Sequence, residues 1–200
     1  SLFSERLGKS LAVLALITIP ISVFTMMEGR DIVTLRFKWK EFTEESVRLT
    51  TEAFFYHMTG MFFIAVNRVV APAFYAQSDT RSPTWAGLAS FSLNIALAII
   101  LAGFMKGGGI ALALSISSAV NTFILIALLF KKRITGMMDA VKLVFVYALK
   151  MLGFSIIAGV PVYFIGPWLR SLLAGTGRFM EAGVPLLLTS LVFAAFGFGL

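Results

Sequence analysis

Apolar positions in this chain fall in long unbroken blocks rather than at the spacing of one helix face or one strand face. Stretches free of Asp, Glu, Lys and Arg run over Ser10–Met27, Ala53–Asn67, Ser82–Met105, Gly107–Phe130, Met151–Leu169 and Ala182–Leu200. All but one reach the roughly 18 residues that, at about 1.5 Å per residue, cross a hydrocarbon layer about 30 Å thick. The shorter Ala53–Asn67 block continues past Arg68 through Val69–Ser78, giving one helix with a charge near its end. The blocks lack the alternation of a barrel strand, and an open sheet in lipid would leave backbone groups unpaired. The pattern therefore predicts an all-α integral membrane protein, a bundle of about six transmembrane helices.

The segments between blocks carry turn and cap chemistry. Glu28–Thr51 is the longest and mixes acids with bases, including Arg30, Asp31, Lys40 and Glu41, as an interfacial loop would. Within it, Thr43 before Glu44 and Glu45 reads as a helix start: its hydroxyl can cap free N–H groups while the acids meet the positive helix end. Gln77–Pro83 reads as a tight turn with Pro83 as the first residue of the third helix. Gly107-Gly108-Gly109 reads as a hinge or turn between the third and fourth helices, and Lys131-Lys132-Arg133 closes the fourth. Asp139–Lys150, apolar between sparse charges, is expected to be an interfacial lead-in to the fifth helix. Ser1–Ser10 is a polar lead-in rather than a signal peptide, and both ends read as cuts in a longer protein.

Composition reinforces this picture: hydrophobic residues make up 58% of the 200, charged residues 14%, and there is no cysteine to form a disulfide or serve as a thiol ligand. The net charge of +7 is what basic residues beside anionic headgroups produce and does not call for a nucleic-acid partner. Basic residues divide almost evenly between the two ends of the bundle. The dense Lys131–Arg133 cluster favours placing the start of the first helix in the cytoplasm.

No catalytic constellation emerges, and no metal or cofactor is implied. His57 stands on the second helix without another His or Cys and reads as packed or cavity-facing. Asn67, Asn94 and Asn121 read as interhelical hydrogen-bond partners rather than substrate contacts. The fourth helix, rich in small residues from Ala111 to Ala119, reads as packed inside the bundle. The fifth and sixth helices, with Phe154, Tyr163, Trp168, Phe193, Phe196 and Phe198 and uncharged centres, read as more lipid-facing.

The most specific stretch is Asn67–Thr84, N-R-V-V-A-P-A-F-Y-A-Q-S-D-T-R-S-P-T. Pro72 cannot donate to the Arg68 carbonyl, so the second helix is expected to kink or open in its last turns. Arg68, Asp79 and Arg81 then share one neighbourhood. Either Arg68 snorkels beside a capped turn, or the three form a moving element at the cytoplasmic mouth of a cavity, with Arg68 meeting Asp79 when that side closes.

This stretch resembles the MurJ/MviN lipid II flippase family of the multidrug/oligosaccharidyl-lipid/polysaccharide exporter superfamily. The likeness lies in Arg68-Val69-Val70-Ala71-Pro72-Ala73-Phe74-Tyr75 followed by Asp79-Thr80-Arg81-Ser82-Pro83, with Ser82 where the family has Thr. Ile19-Pro20, Asp31-Ile32-Val33, Phe37 and Phe42-Thr43 support it. The resemblance implies a fourteen-helix, two-lobed exporter of which this chain is the C-terminal lobe, with a missing N-terminal lobe as its partner. It implies flipping of lipid II by alternating access, with membrane lipids as surroundings and without enzymatic chemistry. Residues 1–133 would hold four helices of the exporter core. Residues 134–200 would hold the lead-in and two added helices forming a groove for the lipid tail. Arg68, Asp79 and Arg81 are the substrate or gating candidates that match the family run. A sister exporter of another lipid-linked oligosaccharide or drug, and a non-transporting scaffold, are the alternatives.

Overall fold

The computed structural model describes residues 2–39 and 41–199. Ser1, Lys40 and Leu200, and the Phe198 side chain, lie outside the described residues. Six long helices follow in order: α1 (Leu2–Phe37), α2 (Glu44–Tyr75), α3 (Arg81–Met105), α4 (Gly107–Lys131), α5 (Met137–Leu173) and α6 (Val184–Gly199), the last preceded by a π-helical turn at Phe179–Gly183. Each is long and apolar enough to cross a membrane, α6 together with that turn.

The two longest helices run well beyond their apolar blocks. α1 has 36 residues and α5 has 37, about 55 Å each against a hydrocarbon layer of about 30 Å. The polar lead-in Ser1–Ser10 is thus almost wholly part of α1, where Ser4, Leu7 and Gly8 are buried. The expected loop over Glu28–Thr51 shrinks to the few residues around Trp39–Thr43, because Glu28–Phe37 continues α1 and Glu44–Thr51 opens α2. Asp139–Lys150, expected as an interfacial lead-in, is the first half of a continuous α5, and Gly8 of α1 packs on Ala140 there.

Packing follows the small residues. α4 lies against both α2 and α3, and a Cβ on Gly60 of α2 would sit 2.4 Å from Ser115 Oγ of α4. Ser115 donates across this seam to the Tyr56 carbonyl at 2.6 Å. Asn67 donates to the Ser118 carbonyl at 2.9 Å and accepts from the Thr122 hydroxyl at 2.8 Å, and Ser90 donates to Asn121 at 3.3 Å. Asn67 and Asn121 therefore bridge helices, as expected, whereas the buried Asn94 Oδ1 has no hydrogen-bond partner among the described residues. α3 buries only Pro83, Ala86 and Ser90 and turns Phe91, Ile99 and Phe104 outward. In water such a face would be an aggregation site, and in lipid it is the ordinary solvent-facing side.

The joints match their turn chemistry with small shifts. Thr43 caps α2, accepting from the Ser46 N–H at 3.2 Å. The α3–α4 joint is the single residue Lys106, at φ 50°, and the three glycines form the first turn of α4. Gly109 is required there: a Cβ would lie 2.4 Å from the Leu101 carbonyl oxygen. α3 starts at Arg81, two residues before Pro83, because Asp79 caps its first turn through the Ser82 N–H at 3.0 Å.

α1 is the spine of the arrangement. It packs against α2 on one side and α5 on the other, while α5 and α2 do not pack together among the described residues. Odd-numbered helices run one way and even-numbered ones return, so α1 and α5 are parallel neighbours. Gly8 meets Ala140 near their starts and Glu28 meets Arg170 near their ends.

Candidate functional site

Because α5 leans on α1 without reaching α2, the bundle keeps an open wedge along its length. It is a cavity of about 1260 Å³ whose floor is α1 (Leu11, Ile19, Val23). One wall is α2 and α4 (Phe62, Val66, Ile126), and the other is α5 (Val144, Leu152, Ile156). Its lining is almost wholly apolar. Along α1 it reaches from Leu7 to Glu28, about 30 Å at a helical rise. The groove expected from the last two helices thus has α5 as one wall only. α6 lines none of it among the described residues: Phe193 packs behind α5 against Ala158 and Val162 and meets Phe24 at 5.2 Å.

The two ends of the cavity differ chemically. At the Leu7–Met137 end, the basic ends of α1, α4 and α5 gather Arg6, Lys9, Lys131, Lys132, Arg133 and Lys142. At the other end, Arg170 of α5 donates from Nε to Asp31 at 2.8 Å and from a terminal nitrogen to Glu28 at 3.1 Å. Glu28 is only 2% exposed and Asp31 only 4%. Burying two carboxylates is tolerable only with a guanidinium between them, since an isolated charge in this environment costs many kcal/mol. Sequence reading placed Glu28 and Asp31 in a loop and ended the fifth apolar block at Leu169, one residue short of Arg170. The available signals were slight: Glu28 and Asp31 are three apart and share a helix face, and Arg170 is the one charge between Lys150 and Arg178.

The residues singled out from the Asn67–Thr84 run are not brought together as expected. Asp79 pairs with Lys132 at 2.8 Å, and the same lysine stands 5.1 Å from the ring centroid of the fully buried Phe74. Lys132, with the Ser82 N–H and hydroxyl, holds the Asp79 carboxyl far below the usual carboxylate range. Asp79 is therefore occupied as a cap and as the tie between the α2–α3 turn and the end of α4. Arg68 and Arg81 are exposed and have no hydrogen-bond or ion-pair partner among the described residues. Pro72 lies in the last turn of α2, whose helix runs unbroken to Tyr75, and the Ala76 N–H donates to the Pro72 carbonyl at 3.0 Å. His57 contributes only its backbone carbonyl to the α2–α4 seam.

Six apolar helices, four of them lining a lengthwise groove with basic residues at one end and an ion cluster at the other, define a multi-pass membrane protein. The family profile described as Lipid II flippase MurJ matches residues 1–181. The chain belongs to that family, and it is a multi-pass protein of the bacterial cytoplasmic membrane. It is 36% identical over 195 residues to a probable lipid II flippase MurJ of Treponema pallidum, covering 98% of this chain and 37% of that protein. A Thermotoga maritima protein of the same description is 30% identical over 115 residues, covering 58% of this chain and 24% of its own length. Among solved structures, one described as lipid II flippase MurJ in an inward closed conformation superposes with a TM-score of 0.73 at 22% identity. That match covers 97% of this chain and 38% of the other, and it supports the fold alone. The chain thus spans little more than a third of the length of these relatives.

Proposed function

We propose that this chain is the C-terminal lobe of a flippase that moves lipid II from the cytoplasmic to the outer leaflet by alternating access, for cell-wall synthesis. The observation that carries the reading is the apolar groove with cations at one end. A pyrophosphate headgroup cannot cross hydrocarbon unaided, and its long apolar tail needs an apolar track. Residues 1–133 supply the core helices that face the missing N-terminal lobe. Residues 134–200 complete the tail groove through α5, with α6 as its backing. Arg68 and Arg81, unpaired at the basic end, are the groups free to meet an anionic headgroup, and Asp79 holds the turn between them in place.

The test is made in the protein joined to the N-terminal lobe that its relatives carry. Depleting it should leave lipid II synthesis intact and make lipid II inaccessible to an externally added degrading enzyme. Unchanged accessibility, with no other flippase present, refutes the reading. Val144→Trp and Leu152→Trp, which fill the groove, should abolish rescue of the depleted strain while the protein still inserts. Arg68→Ala should impair transport more than insertion, and full rescue by that variant returns Arg68 to a snorkelling role.

A further inference from the structure

We infer that the Arg170 end of the α1–α5 contact is a proton-operated latch. Glu28 and Asp31 share one proton while α5 is docked there, and they release it when that end of α5 lifts and both acids meet water. The inference concerns how two helices hold together and stands whatever the protein transports.

The charges in the contact do not balance. Glu28 and Asp31 are almost fully buried, and among the described residues Arg170 is the one cation that reaches them, through Nε to Asp31 and one terminal nitrogen to Glu28. Fully ionised, the cluster carries a formal charge of −1, and with one proton added it is neutral. Neighbouring charges are committed elsewhere. Arg30 and Lys38 pair with Glu44, Arg48 pairs with Glu45 and Glu52, and Arg36 lies over the Phe37 ring. Beyond α5, Arg178 donates to the Lys38 carbonyl and Glu181 accepts from the Gly175 N–H. Beside the cluster α2 offers Thr51 and Phe54, which face Gly29, and Val184–Gly199 of α6 has no titratable group. On α5 the preceding titratable residue is Tyr163, whose ring packs edge-on to Phe164.

The geometry provides a place for the missing proton. Glu28 and Asp31 stand within hydrogen-bond reach of each other, and two carboxyl groups make that bond only when one of them carries a proton. Protonating one acid gives up an attraction to Arg170 but removes a repulsion between carboxylates at similar range, so these two changes nearly cancel. Desolvation then decides, and a buried position favours the neutral acid. The proton also has a route. A third of the Arg170 side chain is exposed, and its second terminal nitrogen has no partner among the described residues, so water reaches the cluster from that side. Elsewhere along the contact Gly8 packs on Ala140 and Gly159 on Met27, uncharged seams about which the Arg170 end can open.

The sign follows from the proton count. The docked form holds one proton more than the open form, so docking is strongest in acid and weakens as pH rises. Above about pH 5, where freely hydrated carboxylates are ionised, the open-to-docked ratio should rise by up to about tenfold per pH unit, the slope of a single proton.

The experiment uses the full two-lobed protein in lipid nanodiscs, with two readouts and no substrate. Infrared spectra near neutral pH look for the carbonyl stretch of a protonated carboxyl group. Spin labels at Arg36→Cys and Leu172→Cys, both exposed positions, report the separation of the helix ends by double electron–electron resonance as pH is varied. The parent should show the carboxyl band and a separation that grows with pH. Glu28→Gln and Asp31→Asn should each abolish the band, because the remaining acid is matched by Arg170, and each should stay docked with a flat pH response. A docked separation in either variant reports that it is folded. Absence of a parent band that both variants remove overturns the shared proton. A parent separation that does not change with pH overturns the latch, as does a parent pH response that both variants keep.

Discussion

Two identical substitutions, Gly60→Ala and Gly87→Ala, should have opposite effects, because the bundle surrounds the two glycines differently. Both lie inside helices, where alanine is intrinsically favoured over glycine by about 1 kcal/mol. At Gly87 nothing lies within 4 Å of the added Cβ, so that preference is realised in full. At Gly60 the Cβ would lie 2.4 Å from Ser115 Oγ and 2.5 Å from both Ser115 Cα and Cβ. Rotating the serine side chain cannot relieve the clash with its backbone, so α2 and α4 must separate by about 1 Å along their seam. Overpacking of this kind costs about 1–3 kcal/mol, and losing the Ser115–Tyr56 hydrogen bond adds about 1 kcal/mol. Net of the helix preference, Gly60→Ala should destabilise by roughly 1–3 kcal/mol, a fall of several degrees in melting temperature for a protein of this size. Gly87→Ala should raise it by a few degrees. Fluorescence-detected size exclusion of heated samples in detergent measures both. Ser115→Gly should restore only part of the Gly60→Ala loss, because the backbone of residue 115 still stands in the way. Equal melting temperatures for the two single variants would refute the close α2–α4 seam.

Three further outcomes follow from the charges. Arg170→Met should destabilise by about 2–4 kcal/mol, less than a fully buried pair because a third of the arginine side chain is exposed, whereas the neutral triple variant Glu28→Gln, Asp31→Asn, Arg170→Met should come within about 1 kcal/mol of the parent in the same heating assay. Equal losses would show that the cluster acts by packing alone. For Asp79, the folded-state pKa lies below the ordinary 3.8, so its contribution is complete above that value and is lost as pH falls below it. The parent should therefore lose more stability than Asp79→Asn between about pH 5 and pH 3, and parallel pH curves would refute the Lys132 tie. Because the chain has no cysteine, single cysteines report topology without background. Lys131→Cys should be shielded from an impermeant thiol reagent in intact spheroplasts and Thr176→Cys should react, the reverse pattern inverting the orientation.

The spans were legible because a lipid solvent leaves long charge-free blocks, and the caps and seams were legible because they depend on neighbours. Thr43 is followed by its acids, and the small residues of α4 occur together. What was not legible depended on distant partners. Cutting helices at every charge ended α1 at Met27, because nothing local shows that Glu28 and Asp31 are matched by an arginine 139 residues beyond Asp31. The same rule left Lys132 as an orientation signal only, although it is the partner of Asp79. Arg68 and Asp79 are close in sequence, and that proximity suggested a pairing that the lysine pre-empts.

The way α5 meets the rest of the bundle also sets an order for biosynthesis. As the chain emerges, α1 to α4 can complete their mutual packing, since α4 joins α2 to α3 and α2 packs on α1. During that interval Glu28 and Asp31 have no counter-ion, and the last turns of α1 must keep both acids in touch with water or headgroups. Only when Arg170 has been synthesised and α5 docks can that end of α1 be covered. Insertion of the α5–α6 hairpin is therefore the step that commits the spine of the bundle to its final depth. A ribosome paused before Arg170 would hold an intermediate with an assembled four-helix block and with Glu28 and Asp31 still uncovered.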